Sequence, residues 1–528
     1  MKSKALTLLA MAALGALVLP IGLAAQQHHH YKLIDLGTFG GPQSYIADVG
    51  VPGGRFVTNS GVFTGFADTS TPDPFLFNCF SADCFVAHAF RWQSGLMTDI
   101  GAERNDLSSA SAWISENGLI AGFAQNGEID PVTTFPELHA ALWRNGRITD
   151  LGALTGGYES VANAVNNRGQ VVGASVNATQ DPNTLASLSF NFVYGTNQLR
   201  AILWQDGVME DLGTLGGPDA LALLINERGQ VMGWSYTSST EASNCGFPLA
   251  LGSFIWEREK GIRDLGNLDG GTCTEGWDLN NRGQVVGFAV PGGGEFVLRA
   301  FIWDGDLIRD LGGSLGGSST GAFVVNDAGQ AAGFGFLAGD TYFHAALWTR
   351  VGQITDLGAI GSDPCSSAKA INASGQVVGD SISLFNCLNN GDASRAFLWE
   401  DGAIFDLNAL IPAGSPLYLV HPQNINDQGE IAGIGVDGSG NQHAFLLIPC
   451  DQWHPGLVDC DYNVVDSNSA EIIEAPVPLP AAPFGNEANL SSNKTLARFL
   501  AVANRSPLRV KLGASHLVKS DISATPQN

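Results

Sequence analysis

Three short motifs recur eight times along the chain in a fixed order, and this repetition limits the possible folds more than any other feature. Their consensus forms are Asp-Leu-Gly, Asn-x-x-Gly-Gln-Val-Val-Gly and His-Ala-Phe-Leu-Trp, and individual copies depart from them at one or more positions. The first begins at Asp35, Asp99, Asp150, Asp211, Asp264, Asp310, Asp356 and Asp406. The first glycine of the second is Gly61, Gly118, Gly169, Gly229, Gly283, Gly329, Gly375 or Gly429. The period of about 45 to 60 residues indicates repeated units that bury their apolar faces against one another.

Each unit contains four short segments with the character of β-strands. In the third unit they are residues 160–166, 170–175, 200–204 and 208–212, which we label strands A to D. Turn residues separate them, and no useful helical period is present. Four strands per unit at this period are typical of a β-propeller blade. The sequence therefore predicts an all-β fold.

The two ends of the repeat region complement each other. The region starts with a lone Asp-Leu-Gly strand at residues 31–37, and the last unit ends at Leu447 without such a strand. The N-terminal strand can therefore complete the last blade and remove an exposed sheet edge. We predict a propeller over residues 31–449 with eight four-stranded blades. A seven-bladed ring is the alternative.

Polar residues that recur in every unit are expected to be structural. In one unit these positions are His139, Trp143, Asp150, Asn166 and Gly169. Histidine alternates with arginine at the His139 position, and arginine is not a metal ligand. We expect a hydrogen-bonded network of His or Arg with Asp in each blade; the alternative is a basic ring that binds an anion or a metal on the axis.

Loop lengths distinguish the two faces of the predicted ring. The A–B turns and C–D hairpins share one face, the turn face, and hardly vary in length. The B–C and D–A connections share the other, the variable-loop face, where B–C loops range from 9 to 26 residues. Variable loops on a repeat scaffold often bind ligands. The candidate ligand-binding residues are the loop aromatics Phe75, Phe77, Phe80, Phe190, Phe192 and Tyr194, unless these rings only cap the blades.

The N-terminus has the pattern of a secretory signal peptide over residues 1–25. Lys2 and Lys4 precede an apolar run at 5–19, and small residues around Ala24 suit cleavage. An uncleaved anchor is the alternative. The eight cysteines form sequence neighbours, which in an exported protein favours local disulfides. The expected pairs are Cys79/Cys84, Cys245/Cys273, Cys365/Cys387 and Cys450/Cys460.

Composition narrows the possible partners. The net charge of −25 argues against nucleic acid. We expect no cofactor, no metal site, no catalytic residue and no membrane span after signal cleavage, in a monomer that is secreted or periplasmic. Residues 450–528 are expected to form an acidic, proline-rich linker and a mobile basic tail.

The motifs resemble those of the HAF-repeat extracellular proteins of bacteria. The triplet occurs in full as His88-Ala89-Phe90 and His443-Ala444-Phe445, and in part at His139 and His344. The resemblance covers about residues 31–449 and implies an exported repeat protein without an established activity.

We therefore predict a binding or structural module that holds a surface glycan or a protein on the variable-loop face. The alternative is a secreted glycan lyase or hydrolase that uses the same face. An asymmetric cluster of titratable residues, present in one blade and not in the others, would favour the enzyme.

Overall fold

The computed structural model describes residues 30–460 except 47–53, 76–78, 82, 103, 105, 131–135, 182–196, 294–295, 384–386, 388–393 and 459. The described residues form 32 β-strands and one 3-10 turn, Leu407–Ala409. Within these residues there is no helix of the length and apolar character that crossing a membrane requires.

The strands are named in chain order. They are β1 (Tyr31–Asp35), β2 (Gly40–Tyr45), β3 (Phe63–Pro72), β4 (Phe85–Gln93), β5 (Leu96–Asp99), β6 (Ser109–Ile114), β7 (Ile120–Ile129), β8 (Pro136–Arg144), β9 (Arg147–Asp150), β10 (Ser160–Val165), β11 (Val171–Gln180), β12 (Asn197–Gln205), β13 (Val208–Asp211), β14 (Gly216–Ile225), β15 (Val231–Thr237), β16 (Leu251–Glu257), β17 (Gly261–Asp264), β18 (Cys273–Leu279), β19 (Val285–Val290), β20 (Arg299–Trp303), β21 (Ile308–Asp310), β22 (Gly316–Val325), β23 (Ala331–Leu337), β24 (Phe343–Arg350), β25 (Gln353–Gly358), β26 (Cys365–Ile371), β27 (Val377–Ile382), β28 (Ser394–Glu400), β29 (Ala403–Asp406), β30 (Leu417–Ile425), β31 (Ile431–Asp437) and β32 (Gln442–Pro449).

These strands pair in sets of four. Seven sets are consecutive antiparallel meanders, from β2–β5 to β26–β29, and the eighth consists of β30, β31, β32 and β1. A single parallel bridge between Leu251 and Cys273 joins the sheets of the fourth and fifth sets. The predicted all-β propeller fold is confirmed.

The N-terminal strand completes the last set, as predicted. Strand β1 runs antiparallel to β32, with Tyr31 opposite Pro449 and Asp35 opposite Phe445. The amide of Cys450 donates to the carbonyl of His30 at 2.8 Å and extends this pairing by one residue. The edge that β32 would otherwise expose is therefore covered.

The last and first sets also contact each other, so the arrangement is a closed ring. Asn426 Nδ2 donates to the carbonyl of Thr58 at 2.9 Å. Strand A of a set is buried along its length, as in Ser160–Val165, whereas strand D is short and mostly exposed, as in Val208–Asp211. Strand A therefore lines the axis, and strand D forms the outer edge.

Repeated residues of the motifs join neighbouring blades. The indole of Trp143 is 1% exposed and donates to the carbonyl of Ile100 in the preceding blade at 3.1 Å. The alanine of the third motif donates its amide to a hydroxyl of the following blade, as from Ala140 to Ser160 Oγ at 2.8 Å. Within a blade, a Cβ atom on Gly173 would lie 2.0 Å from the carbonyl oxygen of Val161 on the adjacent strand. Only glycine therefore fits where these two strands approach each other so closely.

All four expected disulfides are present in the structure. They join Cys79 to Cys84, Cys245 to Cys273, Cys365 to Cys387 and Cys450 to Cys460. The first three lie on the variable-loop face. The fourth holds the segment after β32 against the last blade, where Lys32 Nζ donates to the carbonyl of Val458 at 2.7 Å.

Candidate functional site

The repeated His or Arg pairs with the repeated Asp within each blade, as expected. His139 Nδ1 lies 2.9 Å from the carboxylate of Asp150, and that carboxylate also accepts the amide of Gly152. Equivalent pairs are His88–Asp99, Arg200–Asp211, Arg299–Asp310, His344–Asp356 and His443–Asp35. Because they lie on strands C and D, away from the axis, these residues do not form an axial site.

Two blades depart from this pairing. In the fourth, Gly252 replaces the basic residue, and burial raises the pKa of Asp264 without a cation to oppose it. In the seventh, Arg395 keeps a 3.9 Å ion pair with Asp406 but makes its hydrogen bonds to the buried Asp363. Burial also raises the pKa of Asp406.

The asparagines of the second motif form a belt on the turn face. The oxygen of Asn280 accepts the amides of Arg282 and Gln284 within its own turn, at 3.0 and 2.9 Å. Its nitrogen donates to the carbonyl of Asn326 in the next blade at 2.9 Å. The same step recurs from Asn166 to Asn226, Asn226 to Asn280, Asn326 to Asn372, Asn372 to Asn426 and Asn426 to Thr58.

The belt is interrupted only in the first two blades, where Thr58 and Ser115 replace asparagine. Their hydroxyls bond inside their own turns: Thr58 Oγ1 accepts the amide of Val62, and Ser115 Oγ accepts that of Leu119. In the other six blades the asparagine of this motif joins its blade to the next one.

The aromatic candidates of the variable-loop face are only partly within the described residues. Phe77, Phe190, Phe192 and Tyr194 lie outside them. Phe75 is half-buried, and its amide donates to Asp73 at 2.8 Å. Phe80 is 8% exposed, and its ring packs against those of Phe66 and Phe123 between the first two blades. Phe75 is therefore the described candidate that remains accessible, while Phe80 anchors the loop.

One asymmetric cluster of titratable residues lies between the seventh and eighth blades. Asp380, on β27, contacts Lys369 Nζ at 3.6 Å and His421 Nδ1 at 3.2 Å. Burial acts to raise the pKa of Asp380, but the ion pairs with His421 and Lys369 outweigh it and lower the pKa. Lys369 and His421, which lie on axis-lining strands, keep 20% and 24% of their side chains exposed.

Other blades have aromatic rings at the equivalent positions. Trp277 and Phe288 of the fifth blade occupy the places of Lys369 and Asp380, with ring centroids 5.8 Å apart. Phe323 and Phe334 do the same in the sixth, at 5.3 Å. This substitution was not predicted from the sequence, although the signal is present: Asp380 follows a Gly-Gln-Val-Val-Gly segment where neighbouring copies have an apolar residue.

A second buried acid lies in the fifth blade. Glu275 is 3% exposed, and burial raises its pKa to about 8. It lies beside Cys245 and Cys273, and these three are the one close grouping of His, Cys, Asp and Glu ligands in the described part of the chain. Because the two sulfurs are joined in a disulfide, they are not available as thiolate ligands.

No protein-family model matches the sequence, and no curated protein sequence matches it. Solved structures match at low identity. The β-propeller domain of the Trilobed protease from Pyrococcus furiosus has 8% identity and a TM-score of 0.37, over 63% of this chain and 93% of its own. Dipeptidyl peptidase 4 from Porphyromonas gingivalis has 6% identity and a TM-score of 0.43, over 78% of this chain and 65% of its own. An ulvan lyase of family PL25 has 11% identity and a TM-score of 0.33, over 72% of this chain and 100% of its own.

Proposed function

We propose that the protein is an exported binding module that holds an extracellular glycan or protein on its variable-loop face. The observation that carries the proposal is the difference between the two faces: one is built from repeated hydrogen bonds and the other from unequal loops. On the turn face, the repeated asparagines form hydrogen bonds between neighbouring blades. On the other face, the loops differ in length from blade to blade, and disulfides hold three of them.

Export rests on the N-terminal signal pattern, and four disulfides favour an oxidising compartment. Expression from the native N-terminus tests it directly. We expect the protein in the medium or periplasm, cleaved near Ala24. Retention as an uncleaved membrane-bound chain would contradict export.

A glycan and polysaccharide array on the purified protein, with turnover monitored, tests the binding function. We expect binding without turnover, weakened by Phe75→Ala because this half-buried ring lies on the variable-loop face. Leu307→Ala is a matched control, since Leu307 is a large apolar residue that is 70% exposed at a C–D hairpin of the turn face. Equal losses in the two variants would contradict the assignment of the face.

A glycan-active enzyme is the second candidate, and the Lys369–Asp380–His421 cluster favours it. If His421 Nδ1–H donates to Asp380, its Nε2 is left to accept a proton. Lys369 supplies a positive charge beside that base, which suits proton abstraction next to a sugar carboxylate. The release of unsaturated sugars from acidic polysaccharides would support a lyase.

Replacing this cluster with aromatic residues tests its role in catalysis without preventing the protein from folding. The double variant Lys369→Phe/Asp380→Phe introduces the pairing that the sixth blade already contains. We expect it to fold, because an ion pair exchanged for packed apolar groups is often neutral or stabilising. If a glycan is turned over, this variant and His421→Gln should bind it without turnover; unchanged turnover would exclude the cluster from the reaction.

A further inference from the structure

A group of polar side chains at the first blade differs from every repeated position. It comprises Tyr45 at the end of β2, Asp68 on β3, and Asp83 in the disulfide-pinned B–C loop. The equivalents of Asp68 in the third and fifth blades are Val176 and Val290. The first blade therefore has a carboxyl group where the third and fifth blades have valine, with a second carboxyl group and a phenol beside it.

Two atoms of this group are buried and lack a hydrogen bond. Asp68 is 0% exposed and Tyr45 is 4% exposed, and neither Asp68 Oδ1 nor Tyr45 Oη has a partner of acceptable geometry. Asp83 lies near Asp68, since Gln43 bonds to both carboxyl groups, and Asp83 raises the pKa of both Asp68 and Tyr45. A buried polar atom without a partner costs about 1–3 kcal/mol, so these atoms require an explanation.

The surrounding hydrogen bonds fix the carboxyl groups without satisfying those atoms. The backbone amide of Gln43 donates to Asp68 Oδ2 at 3.1 Å, and its side-chain nitrogen donates to Asp83 Oδ2 at 3.1 Å. Ser81 Oγ donates to Asp83 Oδ1 at 2.8 Å. These bonds hold the carboxyl groups in place while Asp68 Oδ1 and Tyr45 Oη remain unpaired beside Asp83.

We propose that the carboxylates of Asp68 and Asp83 bind a divalent cation of the oxygen-preferring class, such as Ca²⁺, beside the Tyr45 hydroxyl. The cation would tie the B–C loop of the first blade to its sheet. Two carboxylates in contact repel each other unless a proton or a cation lies between them. Calcium ions in proteins take carboxylate, carbonyl and water oxygens. The cation would also explain why the disulfide-bonded loop brings Asp83 close to the fully buried Asp68.

The competing account is a proton shared by the two carboxyl groups. Burial and the neighbouring Asp83 raise the pKa of Asp68, which favours a proton on this pair where no cation is bound. The titratable groups that face it are Asp83 and Tyr45. The two explanations differ in whether an added cation binds, and a cation that binds would displace such a proton.

Calorimetric titration of the chelator-treated full-length protein with Ca²⁺ tests the proposal. We expect one site, with release of about one proton near pH 7, measured as a dependence of the heat on the buffer. Asp68→Asn and Asp83→Asn should each weaken Ca²⁺ binding about tenfold or more, because each removes a charged ligand. Asp356→Asn, which removes a carboxylate from the sixth blade, should leave binding unchanged.

Thermal unfolding with and without Ca²⁺ provides a second measurement that does not depend on the variants. Ligand binding to the folded state alone raises the transition temperature of the wild type. We expect Ca²⁺ to raise it and a chelator to reverse the effect. No heat of binding and no shift with Ca²⁺, Mg²⁺ or Mn²⁺, or binding that is equal in wild type and Asp68→Asn, would overturn the proposal in favour of the shared proton.

Discussion

At the residue scale, one asparagine in each of six turns connects neighbouring blades. Asn280→Ala removes the acceptor for two amides and the donor to Asn326. We expect a loss of about 1–3 kcal/mol in the free energy of unfolding, because these backbone groups lose their partners. Urea unfolding measures it. Thr341→Ala, on an exposed hairpin, is the control. An equally small loss of unfolding free energy in both variants would show that the asparagine belt does not stabilise the fold.

Glu275 gives the stability a pH dependence. Its pKa is about 8 in the folded protein and near 4.5 when unfolded, so between these values the folded state binds more protons. Its contribution to stability is therefore largest below about pH 4.5 and is lost as the pH rises to 8. Glu275→Gln should flatten this slope and raise the free energy of unfolding near pH 8 by up to ~4 kcal/mol. Denaturation near pH 5 and pH 8 checks it; an unchanged slope would contradict it.

At the element scale, β1 closes the last blade from the opposite end of the repeat region. Its removal would expose the edge of β32, which β1 covers along Tyr31–Asp35. A chain that starts after Asp35 should unfold at a lower temperature and self-associate through the free edge. A chain that starts at His30 is the matched control, and equal transition temperatures in the two would show that the closure contributes no stability.

The strands and turns within a blade could be predicted from the sequence, whereas the contacts between blades could not. The turns and strands of a blade follow from local chemistry: residues 208–212 were predicted as a strand, and β13 is Val208–Asp211. Glycine after a polar residue supports the tight hairpins, as at Asn145 and Gly146, which both have positive φ. The asparagine belt could not be predicted from local sequence, since five of its acceptors lie 46 to 60 residues further along the chain and the sixth, Thr58, lies 368 residues earlier than its donor.

The candidate site was less predictable, because it depends on which blades meet. Lys369 and His421 are 52 positions apart in the sequence (421 minus 369) and meet at Asp380 only through the packing of two blades. Phe80 was predicted from its loop, but its burial depends on Phe123 of the next blade. A unit that departs from the repeat consensus is the signal that could have identified these positions.

At the scale of the whole molecule, the ring has one face that is repeated and one that is not. The turn face is closed by hydrogen bonds that pass from blade to blade and join the last blade to the first at Thr58. The variable-loop face has three disulfides, Phe75 and the Tyr45–Asp68–Asp83 group. This asymmetry leads us to place ligand recognition on the variable-loop face.

Hydrogen–deuterium exchange of the full-length protein, with and without a glycan selected by the array, tests that claim most directly. We expect the bound glycan to slow amide exchange in peptides from the B–C loops, including residues 73–85 and 182–196. Exchange around the turns of Asn166 and Asn280 should stay the same, because those amides already bond within the belt. Slowed exchange confined to the turn face, with the B–C loops unchanged, would contradict the account.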